Sequence, residues 1–213
     1  MNKTKIDWPG PNYTWNPVTG CKRGCKWGTG GCYAKRNWDR LHRKRIGCEF
    51  ETVKFYYKRL LDRDLVIKAP CTIFVGSMSD PEYWNAQWMC HIIDTMEKHP
   101  SNTFMLLSKN PTSYHDYVWP ANSMQGLTMT CIQTTLYQSE TVSEIMKRPR
   151  PFLSIEPILG TLKIQLSNRL ETVIVGAMTG PGAIAPKPEW IQSIKDNVPA
   201  EKIYWKNNIK RYL

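Results

Sequence analysis

The chain has 213 residues, 41% of them hydrophobic, which suffices for one sizeable core and is short for two. Its 29 Lys and Arg against 18 Asp and Glu leave a formal net charge of +11, an excess that favours phosphate-bearing partners because clustered cations displace counterions from nucleic acid. No run approaches the roughly 18 apolar residues of a membrane span, the start carries no apolar export signal, and seven irregularly spaced cysteines make a poor disulfide framework; a cytoplasmic protein of one domain, residues 1–213, with metal-bound or reduced thiols is expected.

The first distinctive segment is T-G-C-K-R-G-C-K-W-G-T-G-G-C-Y-A, with Cys21, Cys25 and Cys32 inside twelve residues and five glycines among or beside them. Residues 35–45 follow with dense Lys and Arg, readable as a solvated helix face or as a phosphate contact. Short apolar runs then recur at 71–75, 103–107, 127–131, 151–155, 172–175 and 202–205. Their unbroken hydrophobicity suits strands covered on both faces, as in a parallel sheet. Helical periodicity lies between several of them: at 82–98 after Ser79-Asp80-Pro81, at 139–147, and at 188–197. Residues 112–125 read as a short helix with a loop.

This β-then-α grammar predicts an open barrel or a doubly wound sheet, and in both the ligands bind at the carboxyl ends of the strands. The residues there are chemically busy. They include Ser77 and Asp80, Lys109, Cys131 and Gln133, Glu156, Met178, and Lys206 with Asn207.

Glycines let a backbone wrap closely around an inorganic cluster and aim N–H groups at it. Three thiolates can hold three irons of a [4Fe–4S] cluster and leave the fourth open, whereas closed clusters and structural zinc sites usually have four protein ligands. A zinc site completed by His42 or Cys48 is the rival arrangement. Lys22, Arg23 and Lys26 would lower thiol pKa values under either one.

The segments W-N-P-V-T-G-C at 15–21, G-C-Y-A at 31–34, F-V-G-S-M-S-D at 74–80, F-M-L-L-S-K-N-P at 104–111, F-L-S-I-E-P-I-L-G at 152–160 and V-I-V-G-A-M-T-G-P-G-A at 173–183 resemble the radical S-adenosylmethionine superfamily. Within it the chain is similar to a small phage-type family with three cysteines. The resemblance implies an α/β fold, a partial (β/α)6 barrel of TIM type, with a first strand at 13–18 and the cluster loop at 20–33. It implies a [4Fe–4S] cluster on Cys21, Cys25 and Cys32 that chelates S-adenosyl-L-methionine and reductively cleaves it to methionine and a 5′-deoxyadenosyl radical. It further implies that Tyr33 packs near the adenine, that Ser77 and Asp80 meet the methionine amino group, and that Lys109 and Glu156 meet its carboxylate and the ribose. An external electron donor such as flavodoxin or ferredoxin follows, in the host cytoplasm for a phage gene.

The chain departs from that pattern in three places. The middle cysteine lies seven residues before Cys32 rather than in C-x2-C-Y, Met178 replaces a carboxylate, and Gln133 and Cys131 stand where Glu and a hydroxyl residue are usual. A Cys131 thiol at the barrel mouth suits hydrogen donation to a substrate radical, in the manner of spore photoproduct lyase. The plainer reading is a small buried residue. The expected function is radical modification or rearrangement of a nucleic-acid base or nucleotide, with Trp27, Tyr33, Trp38 and Tyr56 available for stacking. The alternative is a zinc-stabilised nucleic-acid-binding module without catalysis.

Overall fold

In the computed structural model, which describes residues 1–26, 31–42, 47 and 49–213, the apolar runs become strands and the periodic segments become helices. In chain order these are β1 (Asn2–Lys3), β2 (Tyr13–Trp15), β3 (Val18–Thr19), α1 (Tyr33–His42), β4 (Lys54–Phe55), α2 (Asp64–Ile67), β5 (Thr72–Val75), α3 (Ala86–Glu97), β6 (Thr103–Ser108), β7 (Ser123–Met129), α4 (Thr135–Met146), β8 (Pro151–Ile155), β9 (Val173–Val175), α5 (Pro188–Asn197) and β10 (Ile203–Trp205). Among the described residues, eight strands form one sheet in the order β1-β2-β5-β6-β7-β8-β9-β10, and β3 pairs with β4 as a separate ribbon. Neighbours from β2 to β10 are parallel, while β1 runs antiparallel to β2. Parallel neighbours require long crossovers, and α3, α4 and α5 supply them between β5 and β6, β7 and β8, and β9 and β10. The order follows the chain without reversal, so the doubly wound alternative, whose order turns back at a switch point, does not apply. Among the described residues no helix is long and apolar enough to cross a membrane.

Successive strand residues point to opposite faces, and here both faces are buried. Ile73, Val75, Phe104, Leu106, Leu127, Leu153, Ile155, Val173 and Val175 pack with Met89, Ile92 and Met96 of α3, Val142 and Ile145 of α4, and Ile191 and Ile194 of α5. On the other face Phe74, Met105, Met124, Phe152 and Ile174 close around Trp8. Burial on two sides explains why the strand runs lack polar alternation. Each large side chain fully buried contributes on the order of 1.5–3 kcal/mol.

Trp8 arrives from the segment between β1 and β2. Its ring centroid lies 4.7 Å from that of Phe74 and 6.0 Å from that of Phe152. One residue earlier, Asp7 accepts hydrogen bonds from Tyr204 Oη at 2.8 Å and from the Asn207 backbone N–H at 2.5 Å. The segment therefore joins the β2 side of the sheet to β10 and plugs the face opposite the helices.

The expected first strand at 13–18 divides, Tyr13–Trp15 joining the sheet while Val18–Thr19 pairs with β4 in the separate ribbon, and three other boundaries differ from expectation by several residues. Strand β7 starts at Ser123, not at residue 127, and the expected short helix before it is a 3-10 turn at Pro111–Tyr114. Ser123 and Gln125 are polar but fully buried, with Ser123 Oγ donating to Pro120 O at 2.6 Å and Gln125 Nε2 donating to Ser123 Oγ at 2.8 Å. Hydrophobic patterning alone passes over such a strand. The second boundary is the start of α3: Asp80 caps a 3-10 turn at Pro81–Tyr83, and α3 begins only at Ala86, where Asn85 Oδ1 accepts from Trp88 N at 2.9 Å. Trp84 interrupts the helix because its backbone is extended and its indole turns back to donate to Ser79 Oγ at 2.9 Å. The third is α4, which starts four residues early on a Thr134 cap.

Gly126 faces the Phe152 ring so closely that a β-carbon would overlap it. We expect Gly126→Ala to lower the melting temperature, with an overpacking cost of about 1–3 kcal/mol, and the added change Phe152→Leu to recover part of the loss. Thermal unfolding followed by circular dichroism measures both.

Candidate functional site

The carboxyl ends of the parallel strands open on a cavity of about 890 Å³. Its wall takes residues from or just after each of them, among them Thr14, Ser77, Lys109, Thr128, Glu156, Met178 and Lys206, and the N-terminal segment completes it with Asp7 and Trp8. Cys21, Cys25, Cys32, Tyr33, Ser77, Asp80, Lys109 and Glu156, all expected to form a site, all line this one space.

The start of the cysteine loop is pinned from two sides. Gly20 N–H donates to Met78 O at 2.9 Å, Gly20 O accepts from Ser79 Oγ at 2.7 Å, and Cys21 N–H donates to Phe50 O at 3.0 Å. Gly20 sits at φ +92 with the Phe50 and Thr52 carbonyls where a side chain would begin, so only glycine fits this turn. The far end of the loop is a helix start: Cys32 precedes α1, and its carbonyl accepts from Arg36 N–H at 3.0 Å.

The three thiols are partly buried and differ in acidity. Cys32 accepts a hydrogen bond from the Cys25 thiol, and the Lys35 and Ala34 N–H groups point to its sulfur; together they bring its pKa down to about 5. Cys25, as the donor, is raised, with burial adding to the effect. Burial pushes Cys21 up to about 11. The ammonium of Lys109 acts on all three and favours the thiolate in each. Arg23, between Cys21 and Cys25, is paired with Glu82. Among the described residues no three His, Cys, Asp or Glu side chains stand closely enough to hold a metal ion as they are.

Asp80 is buried, and its carboxylate accepts from Ser108 Oγ at 2.6 Å, Glu82 N–H at 3.1 Å and Lys109 N–H at 3.2 Å. Ser77 Oγ donates to Asn16 Oδ1 at 3.1 Å, which also takes Met78 N–H at 3.2 Å. Both residues therefore hold the rim as well as face the cavity. Tyr33 is 61% exposed at the mouth.

Glu156 belongs to a second network. Its Oε1 is paired with the Lys206 ammonium, and its Oε2 accepts from Trp8 Nε1 at 2.8 Å and Ser154 Oγ at 3.3 Å. Gly176 lies between the two strand ends, where a β-carbon would come within 2.7 Å of Glu156 Oε1 and 3.0 Å of Lys206 Cδ. The missing side chain on β9 is what lets β8 and β10 share this ion pair.

Other expected positions lie elsewhere. Cys131 is past the end of β7 at φ +60, and its thiol is buried in the core between sheet and helices, raised to about 12 by that burial, rather than on the cavity wall. The expected strand at 127–131 would have ended at this thiol; the observed strand ends at Met129 and the chain turns. His42 stacks on Trp38 with centroids 4.0 Å apart, and its Nδ1 lies 3.0 Å from Trp38 O. Trp38 itself is buried, and Tyr56 carries the Arg59 guanidinium on its ring at 4.1 Å. Trp27 and Cys48 fall outside the described residues. Trp8, Arg36 and Thr128 line the cavity without having been singled out one by one; the hints in the sequence were the place of Arg36 in the basic segment 35–45 and that of Thr128 inside an apolar run.

The family described as a protein of unknown function, DUF5131, matches residues 3–208, and the chain belongs to that family. No curated protein matches the chain.

We expect iodoacetamide at pH 6 to label Cys32 well ahead of Cys21. Cys25→Ala removes the hydrogen bond that favours the Cys32 thiolate, so its labelling midpoint should rise from near 5 and its rate at pH 6 fall by about tenfold. Peptide mass spectrometry over a pH series reads both outcomes.

Proposed function

We propose that the protein is a radical S-adenosylmethionine enzyme built on a partial (β/α)6 barrel, acting on a nucleic-acid base or nucleotide. The observation that carries this reading is the convergence of Cys21, Cys25 and Cys32 on the strand-end cavity, with Lys109 acting on all three. Strand order without reversal supports the barrel.

The donor set suits a [4Fe–4S] cluster: three thiols, one of them readily ionised, beside a cation that offsets their negative charge. When bound, such a cluster supplies the electron that cleaves S-adenosylmethionine and releases a 5′-deoxyadenosyl radical. The chain's own contribution is to bind and to enclose. Cys21, Cys25 and Cys32 would hold the cluster, and Asp80 fixes the backbone of Lys109, whose ammonium acts on the three thiols. Tyr33 offers an exposed ring for an adenine, and Ser77 lines the same cavity. A cavity of 890 Å³ lies near the top of the range for small-ligand sites, roughly 300–1,000 Å³. It has room for a second small molecule beside the cofactor. The net charge of +11 favours a phosphate-bearing one, and an external electron donor completes the system.

Anaerobic reconstitution should yield about four irons and four sulfides per chain, and dithionite with S-adenosylmethionine should then release 5′-deoxyadenosine. Cys21→Ala, Cys25→Ala and Cys32→Ala should each lose the cluster. Tightly held zinc with no 5′-deoxyadenosine overturns the reading in favour of a binding module. A full cluster in Cys25→Ala alone reassigns the third ligand.

A further inference from the structure

We infer that the Glu156–Lys206 pair is the recognition element for the second ligand, and that it reads the lactam edge, a ring carbonyl beside a ring N–H, of an oxo-base such as guanine or thymine. The inference deepens the nucleotide reading above and rests on it, and it gives Glu156 to the second ligand in place of the S-adenosylmethionine contact that the family resemblance implies.

The pair is built into the scaffold: it spans β8 to β10 across Gly176, whose lack of a side chain makes the contact possible. It is also oriented. Trp8 Nε1 and Ser154 Oγ both donate to Oε2, which leaves Oε1 as the carboxylate oxygen shared between Lys206 and the cavity. An ionised carboxylate oxygen accepts two hydrogen bonds, and an ammonium has three N–H donors. Lys206 uses one of them on Glu156, and among the described residues no other acceptor meets its ammonium. The pair thus presents two N–H donors next to one acceptor.

The complement of that arrangement is an acceptor next to a donor in one plane. A ring carbonyl accepts from one free Lys206 N–H group, while the adjacent ring N–H donates to Oε1. Held in the same orientation, adenine turns its exocyclic amino group to the ammonium and a ring-nitrogen lone pair to Oε1, donor against donor and acceptor against acceptor, so it fits less well. With side chains only 14% and 21% exposed, Lys206 and Glu156 are largely out of water, where charged hydrogen bonds gain strength and discriminate sharply. The Trp8 plug and the Phe74 and Phe152 rings against it form an apolar base below the pair, and Thr128 lines the wall.

Calorimetry on the full-length protein, with and without reconstituted cluster, tests the assignment using guanosine 5′-monophosphate, thymidine 5′-monophosphate, their ring-N-methylated derivatives, and adenosine 5′-monophosphate. The unmethylated oxo-nucleotides should bind at least about tenfold more tightly than the methylated forms and adenosine 5′-monophosphate. Lys206→Met should erase that preference, and Glu156→Gln should erase the methylation penalty. Trp8→Phe keeps the plug but removes the donor to Oε2 and should weaken the preference in a chain whose melting curve stays cooperative, which guards against a misfolded Lys206 variant. Absence of binding, equal binding of adenosine 5′-monophosphate, or a preference that survives Lys206→Met overturns the inference. So does an equal loss of S-adenosylmethionine affinity in Lys206→Met, which would assign the pair to the cofactor. Normal iron content and 5′-deoxyadenosine release alongside any of these results leaves the radical reading standing, and selective nucleotide binding without iron does the reverse.

Discussion

The Asp80 carboxylate takes hydrogen bonds from the Ser108 hydroxyl and from the Glu82 and Lys109 backbone N–H groups. A carboxylate buried to this degree is costly unless its lone pairs are filled, and filling them locks the loop after β5 to the end of β6. That loop in turn carries Met78 and Ser79, which bracket Gly20 at the root of the cysteine loop. The same carboxylate sets the backbone from which Lys109 reaches toward the thiols. The placement of the cysteines against the sheet therefore depends on one buried charge, donated to from three directions, rather than on the cysteine loop's own sequence.

Around the cavity the ionisable groups fall into two networks. Lys109 stands with the three thiols, and Lys206 stands with Glu156. Each cation has its own carboxylate arrangement: Asp80 positions the first through the backbone, and Glu156 pairs the second directly. The division separates a part of the cavity suited to electron-rich sulfur ligands from a part suited to hydrogen-bond readout. Both were assembled from strand ends, which is where a parallel sheet leaves its polar residues because both of its faces are covered.

Much of this was legible in the chain. The runs at 151–155 and 188–197 have the bounds expected of them, because continuous apolar residues and a Pro-Glu helix start are local signals. The strand-end residues Ser77, Asp80, Lys109 and Glu156 reach one cavity because the rule that places ligands at carboxyl ends depends only on strand direction. Strand β7 was misplaced because Ser123, Gln125 and Gly126 are buried for reasons of hydrogen bonding and ring packing that no periodicity encodes. That shift also carried Cys131 from an expected cavity position into the helix-side core. Trp8 and the gap at Gly176 depend on contacts with residues distant in sequence, Trp8 meeting Glu156 across 148 positions. Local reasoning has no access to such pairs.

The bridge between Asp7 and Asn207 joins residues 200 positions apart. During synthesis the chain emerges from its N-terminal end, so the cysteine loop is exposed to the cell long before β10 exists to receive Asp7. Until that last strand is made, the cavity lacks Lys206 and the tie that holds the Trp8 segment against the far edge of the sheet. The thiols thus pass through a period without their finished enclosure, and the order of assembly is set by the ribosome: the cysteines first, the wall that shelters them last.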